Sequence, residues 1–235
     1  STLTELINKL LTPTSGEVHI NDLVNAKKIK IKGKRIKEFR KEIGFLFQFS
    51  ENQLFEDTVL KDVMFGVKSF YPKNKNPEIL AKQALSLVGL DESFYNRSPF
   101  DLSGGEKKRV AIAGVIAYQP KLLILDEPTA GLDAKGKKEI MDVFKKIHES
   151  GVAIILVTHD MDVVLDYADQ MIVIDNGKIE KIGSPKEILK EDVEKYNLET
   201  PMIYQVIHEL RKLGKNISDD VSDISSLVKE LKHYG

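Results

Sequence analysis

Cysteine is absent from the 235 residues, which excludes disulfides and cysteine-ligated zinc but assigns no compartment. Long apolar runs are absent too. The longest are strand-length, short of the roughly 20 residues that a membrane-spanning helix needs. An excess of one charge is the third thing missing. There are 35 basic and 36 acidic side chains, a formal net charge of -1, which argues against a non-specific nucleic-acid binder, since that needs a basic surplus. No leader peptide precedes Ser1, so a cytoplasmic location is expected. A chain of this length makes one large domain, or a core with appendages.

What is present concentrates between Leu102 and Asp133. Leu102-Ser103-Gly104-Gly105-Glu106 opens a breaker-free stretch running to Tyr118, so Ser103, Gly104 and Gly105 are expected at a helix N-terminus. Glycines there let backbone N–H groups approach a phosphate, and the helix dipole favours its charge. Leu122-Leu123-Ile124-Leu125 then delivers Asp126-Glu127, as a buried strand does at its C-terminal end, where open α/β sheets bind ligands. A phosphate contact and a carboxylate pair imply a nucleotide with its metal.

Along the rest of the chain, Leu6, Ile7, Leu10 and Leu11 space an N-terminal helix ahead of Pro13. Glu17–Ile20 and Lys28–Ile31 read as edge strands around a polar turn at Asn21-Asp22. The basic run from Lys27 to Lys41 is a solvated face. Ile43 to Gln48 is an apolar strand ending in an amide whose carbonyl can ligate magnesium. Helices are expected over 58–65, 77–88 and 135–149. Val152–Val157 is continuously apolar and is expected to be fully buried. It leads into Thr158-His159, where an imidazole can hydrogen-bond a phosphate and orient a water. Asn176-Gly177 predicts a hairpin between Met171–Asp175 and Lys178–Ile182. Ser184-Pro185-Lys186-Glu187 predicts a capped helix, and apolar spacing predicts two more after Thr200.

The order of these motifs resembles the ATP-binding cassette family, the motor subunits of ABC transporters. The resemblance implies a P-loop NTPase (RecA-like) α/β core with a mainly parallel sheet and an antiparallel β-subdomain. It also implies a helical subdomain over about 57–118, a cassette over 1–188 and a helical C-terminal extension over 189–235. It makes Leu102–Glu106 the signature motif, Asp126 the magnesium ligand, Glu127 the catalytic carboxylate and Ala130–Asp133 the D-loop. Gln48 becomes the Q-loop glutamine and His159 the switch histidine. Ser103, Gly104, Gly105 and Asp133 would meet nucleotide. Ser1 and Thr2 would open the helix after the P-loop, with the Ser1 hydroxyl on magnesium. The P-loop glycines and lysine, and the strand before them, do not precede Ser1, so turnover by this chain alone is not expected.

Phe47-Gln48-Phe49-Ser50-Glu51-Asn52-Gln53-Leu54-Phe55 is similar to the ATPases of energy-coupling factor transporters, importers of vitamins and of metal ions such as cobalt and nickel. That resemblance implies ATP and Mg2+, a second cassette in a homo- or heterodimer, and a transmembrane coupling protein seated near Gln48 to Phe55. It further implies that a separate membrane protein binds the substrate, that no nucleic acid is involved, and that the chain lies on the cytoplasmic face of the membrane. The competing expectations are a soluble cassette ATPase of translation or DNA repair, and an inactive fragment.

Overall fold

A computed structural model describes residues 2–20, 23–26, 34–73, 76–191 and 193–232. The chain divides into two compact units, 1–157 and 158–235.

The first unit opens with α1 (Thr2–Ile7). Its apolar spacing continues to Leu11, but the helix stops because Lys9 turns into the left-handed region at φ 57°. Leu10 N–H then donates to the Glu5 carbonyl at 2.8 Å, a closure that satisfies the last turn. Leu10 and Leu11 are left exposed. Next come β1 (Glu17–Ile20) and β2 (Leu23–Ala26), antiparallel from Glu17↔Ala26 to Ile20↔Leu23. The other expected edge strand, Lys28–Ile31, lies outside the described residues. A two-residue connection lets Ile20 pair at once with Leu23.

After α2 (Lys34–Glu42) and β3 (Ile43–Leu46) come three helices, α3 (Val59–Phe70), α4 (Pro77–Leu87) and α5 (Gly104–Ile116). Val59, Val63 and Val67 lie four residues apart on α3 and are fully buried, the stripe expected of a packed helix. Thr58 caps α3 and Pro77 occupies the first turn of α4. β4 (Leu122–Asp126), α6 (Ala134–Glu149) and β5 (Ala153–Val157) complete the unit.

Among the described residues β3, β4 and β5 form a parallel sheet in that order, with Ile43↔Leu122, Leu46↔Leu125 and Asp126↔Val157 in register. Central β4 is paired on both edges, and Leu123, Ile124 and Leu125 are buried. β5 departs from expectation: Ala153 is exposed and Ile154 to Val157 are only half-buried. It pairs with β4 alone among the described residues, so its apolar run lacks the second neighbour that full burial requires.

The second unit holds α7 (Met161–Tyr167), β6 (Met171–Asp175), β7 (Lys178–Gly183), α8 (Pro185–Ile188), α9 (Met202–Lys212) and α10 (Ile224–Leu231). Asn176 and Gly177 carry φ of 46° and 76°, as a tight hairpin turn demands. Met171 and Val173 point to a core that also takes Leu165 from α7, Ile203 and Ile207 from α9 and Leu227 from α10. The helices beyond Ile188 therefore pack on α7 and the hairpin. Met202 N–H donates to Asp162 Oδ1 at 2.9 Å.

Gly44 marks where β3 is most tightly covered. A Cβ there would sit 2.6 Å from Val115 Cγ1 and 2.8 Å from Leu123 Cδ1. Gly44→Ala is expected to destabilise the chain by about 1–3 kcal/mol through overpacking, read as a lower midpoint in urea unfolding.

Candidate functional site

Parallel strands in register send the residues that follow them out at one edge of the sheet. Gln48 follows Leu46 by two residues, and Glu127 follows Leu125 by two; Leu46 and Leu125 are paired. The ladder therefore brings Gln48, Asp126 and Glu127 to one edge. Gln48 is exposed, and both carboxylates are half-buried. Both strands leave through a left-handed residue, Phe49 at φ 59° and Glu127 at φ 48°. Non-glycine residues in that region carry strain of order 1–2 kcal/mol, which the surroundings must hold. For Glu127 the hold is a further ladder bond, its N–H donating to the Val157 carbonyl at 2.9 Å.

Beyond Glu127 the chain folds back tightly. Ala130 N–H donates to the Glu127 carbonyl at 3.1 Å and Leu132 N–H to the Thr129 carbonyl at 3.2 Å. Gly131 takes φ 76°. Asp133 then caps α6, its Oδ1 accepting from Gly136 N–H at 2.8 Å. That cap accounts for an aspartate at this position without a ligand.

Ser103 opens α5 with a reciprocal cap. Ser103 N–H and Oγ–H donate to Glu106 Oε2 at 2.8 and 2.7 Å, and Glu106 N–H donates to Ser103 Oγ at 3.4 Å. These bonds hold the Glu106 carboxyl below its ordinary value, the serine hydroxyl contributing most. The sequence carries the signal for this box in Ser103-x-x-Glu106. Ser103, Gly104 and Gly105 are exposed, and a Cβ added at either glycine would meet nothing within 4 Å.

His159 belongs to the second unit, two residues past the end of β5, and is exposed. Its neighbours fix the turn that carries it: Asp160 N–H donates to Thr158 Oγ1 at 3.1 Å, and Asp160 Oδ1 caps α7 through Val163 N–H at 3.2 Å. Thr2 is exposed at the start of α1. Ser1 lies outside the described residues.

Two basic residues on α5 were not singled out by the sequence. Lys108 is 2% exposed and donates to the Ala130 carbonyl at 3.1 Å. Burial pushes its ammonium down, and the Glu51 carboxylate partly opposes this. Arg109 donates to the Val88 carbonyl at 2.9 Å and to Glu139 Oε2 at 2.5 Å. Apolar periodicity marks α5 weakly because its inner face includes this lysine.

Comparison with known proteins fixes the family. The family model described as ABC transporter matches residues 1–130. The chain belongs to the ABC transporter family. Over 237 aligned residues it is 47% identical to the energy-coupling factor transporter ATP-binding protein EcfA2 of Streptococcus pyogenes serotype M28, covering 99% of this chain and 83% of that protein. Among solved structures it is similar to cbiO1 from Clostridium perfringens, part of the ABC transporter complex cbiONQ. That match has a TM-score of 0.72 and 38% identity, over 88% of this chain and 82% of that one. It is also similar to MJ0796 as a dimer in a post-hydrolysis state with ADP and Pi, with a TM-score of 0.68 and 30% identity over 78% and 79% of the two chains. This ABC ATPase thus has the fold of a P-loop NTPase, and among its described residues no helix is long and apolar enough to cross a membrane.

The Glu106 carboxylate ties acidity to the cap of α5. Its folded-state affinity for a proton is depressed, so its contribution is complete above the unfolded value and is lost as pH falls through the lower one. Glu106→Gln is expected to flatten the acid side of the stability profile below about pH 5, read as thermal midpoints across an acid titration.

Proposed function

We propose that this ABC ATPase is the ATP-binding and ATP-hydrolysing subunit of an energy-coupling factor importer, working at the cytoplasmic face of the membrane. The observation that supports the reading is the parallel register of the strands that lead to Gln48 and to the Asp126–Glu127 pair, in a chain with 47% identity to an energy-coupling factor ATP-binding protein. The oxygen donors at this edge suit a hard cation. Among the described residues no cluster of three or more His, Cys, Asp or Glu side chains stands ready for a metal. One carboxylate with an amide fits Mg2+, which is held by few protein ligands together with substrate phosphates.

In this reading Asp126 and Gln48 would hold the cation, directly or through water; Ser1, whose hydroxyl the resemblance also assigns to magnesium, lies outside the described residues. Bound Mg2+ supplies charge neutralisation on the phosphates. Glu127 accepts a proton from the attacking water, and its ladder-held backbone fixes where that proton goes. His159 donates to the γ-phosphate and orients the water. The open amides after Ser103 receive the γ-phosphate of a nucleotide held by a second cassette, so two cassettes close on two ATP molecules. The D-loop through Asp133 carries contact between the two sites. The residues to about Ile188 form the cassette and those beyond it the C-terminal extension.

Exposed aromatics support a membrane partner near Gln48 to Phe55. Phe55 and Phe65 are 56% and 48% exposed and form an edge-to-face pair with centroids 4.9 Å apart. They offer an apolar seat for a short helix of the coupling protein. The transported solute is a vitamin or a transition-metal ion, bound by a separate membrane protein of the complex.

The test is Glu127→Gln in the transporter assembled with its partner cassette and membrane subunits. Removing the general base is expected to lower phosphate release by about 100-fold or more while labelled ATP still binds. Full turnover in that variant would remove Glu127 from the chemistry.

A further inference from the structure

Lys108 is a charged residue in a place that an apolar one would fill. It faces inward from α5 and is 2% exposed, and an ammonium so buried must be met by oxygen to persist. Two oxygen groups from two different turns act on it, the first through a hydrogen bond and the second through its charge alone. One is the Ala130 carbonyl at 3.1 Å, three residues after Glu127. The other is the Glu51 carboxylate, whose field acts on Lys108. Glu51 lies in the 3-10 turn Ser50–Gln53, which begins two residues after Gln48, and its Oε2 is buried without a hydrogen bond among the described residues. A single buried ammonium therefore bonds one of the segments that leave the sheet at the candidate site and feels the charge of the other, against whose 3-10 turn α5 packs.

We propose that Lys108 is a positioning residue that ties the turn after Gln48 to the turn after Glu127, so that a displacement of either turn is transmitted to the other. Lys108 acts through Ala130 and Glu51 and touches neither nucleotide nor water. The link to turnover rests on the ATPase reading above; the link between the two turns does not. Methionine has a similar unbranched volume and would fill the same space, but it would leave the Ala130 carbonyl unmet and the turn free to open.

Hydrogen exchange on the full chain tests the tie directly, at the Ala130 and Leu132 amides that close the turn. Lys108→Met is expected to speed exchange there by about tenfold, the usual consequence of losing one charge-assisted hydrogen bond, with Ile124 and Leu125 in β4 unchanged. Lys108→Arg restores protection. Glu51→Gln, which keeps shape and removes only charge, speeds exchange at Ala130 and Leu132 in the same direction by a smaller factor. In the assembled transporter, Lys108→Met lowers ATP turnover at unchanged KM. Unchanged exchange at both amides in both Lys108→Met and Glu51→Gln overturns the proposal, as does a uniform rise across β4 and α3, which marks a packing role only. If Lys108→Met does not fold, Glu51→Gln alone decides by the same amides. A wild-type transporter without ATP turnover defeats the ATPase reading and leaves the exchange result standing.

Discussion

The parallel ladder of β3, β4 and β5 is the constraint on which the site depends. Its register sets the level at which Gln48, Asp126 and Glu127 leave the sheet. Because side chains alternate along a strand, a slip of one residue would turn each of them to the other face. Leu123, Ile124 and Leu125 are buried on both faces, so the slip would draw the charge of Asp126 into the buried stretch or that of Lys121 up to its edge. The same ladder restrains the backbone past the strand end, where Glu127 N–H reaches the Val157 carbonyl. A residue in the left-handed region is thereby held at one position, the placement that the proposed proton acceptor would need.

Local chemistry made much of this legible. Asn176-Gly177 placed the hairpin of β6 and β7, and the apolar run before Asp126 placed β4, because each signal depends on a residue's own conformational or burial preference. Signals that depend on neighbours were less readable. The run at Ile154–Val157 is as apolar as β4 but is half-buried, since periodicity reports which faces want cover and not how many strands supply it. α1 ends at Ile7 because Lys9 takes a left-handed turn that nothing in the apolar spacing announces. Lys108 escaped for a related reason. A lysine is read as solvated until a carbonyl from a turn 22 residues away is seen to meet it.

α5 joins these pieces. Near its start Lys108 reaches the turn at Ala130, and Arg109 bridges the end of α4, at the Val88 carbonyl, to Glu139 on α6. The Arg109–Glu139 pair is partly exposed, so its energy is of order 1 kcal/mol or less; its use is geometric, since a forked guanidinium fixes two partners at once. Both anchors lie behind the first turn, which is left projecting.

That first turn contains two glycines that the fold itself does not require. Neither Gly104 nor Gly105 has a positive φ, and a Cβ at either would meet nothing within 4 Å. Glycine in a helix costs about 1 kcal/mol per residue relative to alanine, while a cap such as that of Ser103 with Glu106 returns about 1 kcal/mol. The cap therefore offsets part of a cost that alanines would have avoided. The proposed function supplies an external reason for carrying this cost: bare backbone amides that a phosphate can approach without meeting a side chain.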